Sequence, residues 1–158
     1  MYSEIQRRNF VPEKLYAQFL RNLPLCCVDV VVVYGGVFLL VKRKNIPAGG
    51  KWWLPGGRLL WREHPERAAK RKLREELGIR KVDAIKFIGF GESRFNKGYF
   101  GNPYHSINLT FVARVGAREA RRIRLDMVHH TEYKWFRRIV PTIPSYVAKF
   151  LSAAGFKK

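Results

Sequence analysis

The chain has 158 residues, which suits one compact domain of the common size of roughly 100–150 residues, and its 47% hydrophobic and 14% aromatic content excludes a disordered chain. Thirty-one Lys and Arg stand against twelve Asp and Glu, a net charge of +19 that attracts phosphate-bearing partners, whether nucleotides or nucleic acid, and that also serves solubility alone. The adjacent Cys26 and Cys27 offer neither zinc-ligand spacing nor ordinary disulfide geometry. No stretch resembles a signal peptide or approaches the roughly 20 apolar residues of a bilayer span, so one domain over 1–158 with a cytoplasmic address is expected.

In chain order, Pro12 opens an amphipathic segment in which Leu15, Phe19, Leu20 and Leu23 recur at helical spacing, predicting a helix over 12–23 that Pro24 ends. "LCCVDVVVVY", Gly35-Gly36 and "VFLLVKRK" predict two central strands joined by a tight glycine turn. After a Gly/Pro loop, "KWWLPGGRLLW" supplies short extended pieces; Pro65 then opens a helix to Leu77, with Gly78 as its stop. Strands are expected over 81–90 and 104–115, with "GESRFNKGYFGNP" between them as a substrate-facing loop. A basic turn region, a strand over 132–136 and a helix over about 143–152, with Tyr146, Val147, Phe150 and Leu151 on one face, complete the chain. Strands interleaved with few helices predict an α/β (α+β) fold, a mixed sheet sandwiched between helices.

The chemistry concentrates around the second predicted helix. Gly57, Glu63, Arg71, Lys72, Leu73, Glu75, Glu76, Gly78 and Ile79 follow the spacing G-x5-E-x7-R-K-L-x-E-E-x-G-I. Positions 72, 75 and 76 share one helical face, and Arg71 reaches Glu75 one turn later as a structural partner. Paired carboxylates near a backbone carbonyl suit oxygen-loving Mg²⁺, while Gly56 and Gly57 let backbone approach a diphosphate. The spacing resembles the Nudix box, G-x5-E-x7-R-E-U-x-E-E-x-G-U with U apolar, and departs from it at one defined position. Lys72 stands where the box has a glutamate, and a protonated lysine cannot ligate a metal and repels one.

From about Leu15 to Phe136, "KRKNIPAGGKWWLPGG" and "HHTEYKWF" are also similar to an atypical Nudix branch, the GDP-mannose mannosyl hydrolases. In that branch the same glutamate is replaced, and water attacks the sugar C1. The resemblance implies hydrolysis of GDP-mannose or a related nucleoside-diphosphate sugar by a homodimer. It places His130 as the base and has Gly56 and Glu76 holding one Mg²⁺, with Glu75 as an extra carboxylate. His129 falls where that branch has a metal-ligating glutamine and would shift preference toward Mn²⁺. Arg43, Arg58 and Arg71 match arginines that contact diphosphate or stabilise the leaving group, and Asp29 matches a substrate-side aspartate. Trp52, Trp53 and Trp61 are candidates for stacking on a base or for core packing. Two rivals stay open: a conventional pyrophosphatase attacking phosphorus, and a non-catalytic Nudix module that binds nucleotide or RNA.

Overall fold

A computed structural model describes residues 10–158. Its helices are α1 (Glu13–Asn22), α2 (Pro65–Leu77), the single turn α3 (Ala117–Ala120) and α4 (Ser145–Ala153). Its strands are β1 (Leu25–Tyr34), β2 (Val37–Arg43), β3 (Trp52–Trp53), β4 (Gly56–Arg58), β5 (Ala84–Phe95), β6 (Tyr104–Arg114) and β7 (His130–Phe136). Among the described residues these strands form one mixed sheet in the order β3-β2-β1-β6-β5, with β4 also paired to β1 and β7 to β2.

The β1–β2 hairpin turns at Gly35 and Gly36, whose φ angles of 52° and 79° are what a two-residue turn matched to strand twist requires. The sheet's centre is not a hairpin, however: β1 runs parallel to β6, from Leu25 opposite Ser106 to Val33 opposite Arg114. A parallel neighbour needs a long crossover, and the intervening chain through α2 supplies it.

Alternation along β1 and β2 divides the interior. Val28, Val30 and Val32 with Leu39 and Val41 face Ala68, Ala69, Leu73 and Leu77 of α2. On the opposite face Val31, Phe38 and Leu40 pack with Val147, Phe150 and Leu151 of α4, as the sequence spacing predicts. Asp29 shares the parity of Val31, so a carboxylate is delivered to the α4 side of the sheet. The helix α2 begins with Glu66 N–H donating to the ring of His64 and ends at Gly78, which sits in the left-handed region at φ 69° and donates to Arg74.

Four expectations change. Helix α1 buries Leu20, with Tyr16 and Phe19 against Leu25 and Cys27, while Leu15 and Leu23 lie exposed. Strand β5 runs on to Phe95, into the segment expected to be loop, because Gly91 and Ser93 alternate inward with Glu92 and Arg94 outward. Strand β7 begins at His130 instead of 132. The basic turn region contains α3. No helix among the described residues is long and apolar enough to cross a membrane.

Candidate functional site

A pocket of about 180 Å³ opens between the β4 loop, the C-terminal half of α2, the start of β7 and the polar face of β1, β6 and β5. That volume lies below the ~300 Å³ at which sites begin to enclose drug-sized ligands. Its walls include Asp29, Arg43, Gly56, Arg58, Lys72, Glu76, His129 and His130. Six of the nine residues singled out from sequence as catalytic, substrate-binding or metal-holding thus meet in one place with His129 at the rim; Glu75 and Arg71 stand behind the wall.

The loop comes so close to the sheet that a Cβ on Gly56 would meet the Val28 carbonyl at 2.1 Å, and only glycine fits there. This contact lets the Gly56 N–H donate to Glu76 Oε2 at 3.2 Å, across 20 residues of chain. Glu76 is 5% exposed and holds two further partners: Lys72 Nζ lies 2.8 Å from Oε1, and His130 Nε2 lies 3.0 Å from Oε2. Burial by itself raises the Glu76 carboxyl, but the Lys72 ammonium and the His130 contact outweigh it and hold the group at about 2. Burial likewise depresses Lys72, and the Glu76 and Glu75 carboxylates overcome that and raise it. Both members of this pair are therefore ionised.

His130 is buried in the wall. It opens β7 opposite Arg43, where a bulge shifts the β2–β7 register, and its backbone N–H donates to Asp126. Because a carboxylate only accepts, Nε2–H donates to Glu76, and Nδ1 is a buried atom that has no hydrogen-bond partner among the described residues. A carboxylate that orients a histidine in this way is a common arrangement for a general base.

Asp29 is 4% exposed and accepts from Asn108 Nδ2 and the Tyr146 hydroxyl, both at 2.7 Å. Burial pushes it up to about 6 in spite of these two bonds and the nearby Arg43. Beside it, Ser93, Ser106 and Asn108 line the pocket, and among the described residues Ser93 Oγ, Ser106 Oγ and Asn108 Oδ1 are buried without a hydrogen bond of ordinary length and angle, although the hydroxyls of Tyr104 and Tyr146 face them. Buried polar groups that lack partners in the protein are normally satisfied from outside it. Sequence reading missed this floor. Its signal is the polar alternation Ser106, Asn108, Thr110 along one face of an otherwise apolar strand.

The arginines divide into two groups. Arg43 lines the pocket, steered by Nε donating to the Pro47 carbonyl at 2.8 Å and Nη2 to the Tyr99 hydroxyl at 3.2 Å. Arg58 lines it with its guanidinium 5.4 Å from the Tyr16 ring centre. Arg71, expected to support the leaving group, does not line the pocket. It bridges Glu63 at 2.7 and 2.9 Å, Glu75 at 3.1 Å and the Arg58 carbonyl at 3.0 Å, which makes it a brace between helix and loop. Four of the five guanidinium donors already meet oxygens of the protein, and the group lies outside the pocket lining.

The expected metal set does not converge either. Glu75 is spent on Arg71 and Lys72, and His129 is exposed with its ring on Asp126. Gly56 turns its N–H toward Glu76. Mg²⁺ binds oxygen at about 2.0–2.1 Å, so an ion on Glu76 Oε1 would confront the Lys72 ammonium across ~3 Å, a repulsion on the order of 10 kcal/mol at an effective dielectric near 20. Among the described residues no group of three or more His, Cys, Asp or Glu is placed to hold a metal ion. In this arrangement the side chains of Glu75, Glu76 and His129 do not fit the Mg²⁺ or Mn²⁺ expected from the sequence. Of the tryptophans, Trp53 is core and stacks on Tyr146 with ring centres 5.2 Å apart, and Trp61 is 79% exposed and lies outside the pocket.

The glycine loop, the box helix and the wall between them have counterparts in known proteins. Over 69 residues the chain is 38% identical to the low-salt glycan biosynthesis protein Agl8 of Haloferax volcanii, covering 44% of each. Over 109 residues it is 31% identical to an ADP-ribose pyrophosphatase of Methanocaldococcus jannaschii, 68% of this chain and 58% of that protein. The chain thus spans about half the length of the curated relatives it matches. In structure it is similar to a MutT Nudix hydrolase from Burkholderia pseudomallei, with a TM-score of 0.69 and 25% identity over 84% of this chain and 98% of the other. Because the stretch that forms the sheet, the loop, the box helix and β7, residues 26–140, matches the NUDIX domain as a unit, the chain belongs to the Nudix family.

Proposed function

We propose that the chain hydrolyses a nucleoside-diphosphate derivative whose far end carries a hydroxyl-rich ring, breaking the pyrophosphate linkage. One observation carries this reading: the pocket joins a cationic mouth, Arg43, Arg58 and Lys72, to a buried floor in which Ser93, Ser106 and Asn108 present polar atoms without a hydrogen bond of ordinary geometry beside the Asp29 carboxylate. Guanidinium forks suit phosphate oxygens, and a carboxylate with hydroxyls and an amide suits ribose or hexose hydroxyls. The similarity to a protein described as an ADP-ribose pyrophosphatase supports the same bond and ligand class.

The chain's own groups supply the steps. Arg43 and Arg58 orient the diphosphate. A water admitted to the buried His130 Nδ1 by a shift of the pocket wall loses its proton there as its oxygen bonds to phosphorus; Glu76, accepting from Nε2–H, stabilises the imidazolium that results. The bridging oxygen leaves on the other phosphate with its bonding electron pair, and Lys72 offsets the charge that develops. One water is consumed and two phosphate monoesters result.

A second reading keeps the ligand and moves the attack to the anomeric carbon, giving nucleoside diphosphate and free sugar, as for GDP-mannose. It is favoured by Lys72 in place of the box glutamate, since attack at carbon asks less of phosphorus activation, and by the buried, carboxylate-oriented His130. Hydrolysis of ADP-ribose and of GDP-mannose in ¹⁸O-labelled water tests both. Label in a phosphate supports the proposal, label in the sugar supports the second reading, and no product from either substrate removes both.

A further inference from the structure

In this family's box helix, a glutamate at the position of Lys72 would place a third carboxylate beside Glu75 and Glu76, the kind of cluster that collects divalent cations. Here the lysine side chain folds back along the helix and brings its own cation to that spot. Nζ stands 2.8 Å from Glu76 and 3.3 Å from Glu75, under the loop, where a Cβ on Gly57 would meet Lys72 Cε at 3.0 Å and Nζ at 3.4 Å. The missing Cβ at Gly57 is what leaves room for the ammonium between loop and helix. The side chain is only 17% exposed, and it lines the pocket. An ammonium has three donors: two find carboxylate oxygens, and the third remains for a ligand.

We propose that the Lys72 ammonium takes the place of the divalent cation, so that this protein binds and neutralises the diphosphate of its ligand without a metal, through Lys72, Arg43 and Arg58. The proposal rests on the ligand class given above but not on which bond is broken. Both Glu76 oxygens already have partners, Oε1 the ammonium and Oε2 the Gly56 N–H and His130, so the carboxylate that anchors a metal elsewhere serves here to hold a lysine and a histidine in place. The lysine then differs from a metal in a useful way: it cannot be removed by chelation, and its single charge holds product less strongly.

Two measurements on the full chain decide it. Mn²⁺ titrated into the protein and followed by electron paramagnetic resonance should show no site in the pocket of the wild type, whereas Lys72→Glu should gain one, with a melting temperature that rises when Mn²⁺ is added. Calorimetric titration with ADP should give the same affinity in EDTA as in Mg²⁺ for the wild type, and Lys72→Met should bind ADP at least ~10-fold more weakly in EDTA, a change of about 1.4 kcal/mol. Wild-type Mn²⁺ binding that Glu76→Gln abolishes, or ADP binding that EDTA abolishes, overturns the proposal. If ADP does not bind in either medium the functional reading falls instead, and the Mn²⁺ comparison between wild type and Lys72→Glu still decides the present inference. Should Lys72→Met not fold, that same comparison carries the test.

Discussion

Replacing Lys72 by Met keeps the length and apolar stem of the side chain and deletes the ammonium. At 2.8 Å and an effective dielectric near 20 the attraction to Glu76 is about 6 kcal/mol, part of which returns because the ammonium itself no longer has to be desolvated. Breaking a buried pair generally costs ~3–5 kcal/mol; since Glu76 keeps the Gly56 N–H and His130, the lower end applies, about 3 kcal/mol. With a urea dependence of roughly 1.5–2 kcal/mol/M, the unfolding midpoint should fall by about 1.5–2 M at pH 7. A double-mutant cycle with Glu76→Gln should recover a coupling of at least ~2 kcal/mol, because the double mutant leaves no charge stranded. The pH limb has a definite sign. The Glu76 carboxyl, at about 2 when folded against an ordinary 4.5, contributes stability that is present above 4.5 and lost as pH falls toward 2. Without the ammonium, burial has only His130 and the loop N–H to oppose it, so the wild type minus Lys72→Met difference should shrink as pH falls through that window. A cost below ~1 kcal/mol at pH 7, or a difference that does not change with pH, would refute the assignment of a buried ionised pair.

Other consequences are equally open to measurement. Asp29→Asn should raise stability above pH 6 by ~1–3 kcal/mol, since a carboxyl at about 6 when folded against 3.8 loses stability as pH rises through that interval; the variant's denaturation profile should be flat there, and its ligand affinity lower. A less stable Asp29→Asn at pH 8 would contradict a buried, under-compensated carboxylate. Gly56→Ala sets a methyl against the Val28 carbonyl and should yield little folded protein by circular dichroism, at a cost of ~3 kcal/mol or more; a normally stable variant would mean that the loop is not pressed onto β1. His130→Gln should reduce kcat by ~10²-fold or more with little change in KM, and an unchanged kcat removes His130 from the base role.

Much of this molecule can be read from one dimension because its instructions are local. The box helix is bounded by Pro65 and Gly78, the first hairpin by two glycines, and the C-terminal helix by its apolar spacing; each signal lies within a turn or two of what it controls. Box spacing brought Gly56 and Glu76 to notice, and the family resemblance Asp29, Arg43, Arg58 and His130, before their meeting in one pocket was visible. What could not be read locally are the partners that decide what each group does. Arg71 appears as a phosphate ligand until Glu63, eight residues away, and the Arg58 carbonyl take up its donors. Lys72 appears only as a defect in an acidic motif until the glycine loop closes over it and its ammonium is found on Glu76. The parallel pairing of β1 with β6, some 80 residues apart, brings Asn108 to Asp29 and so makes the polar floor. Hydrophobic period and turn chemistry act between neighbours along the chain and are therefore written in the order of residues. Hydrogen-bond and charge partners are chosen across the folded interior, where burial strengthens each pairing and makes each omission costly, so their roles were settled only when the chain closed on itself.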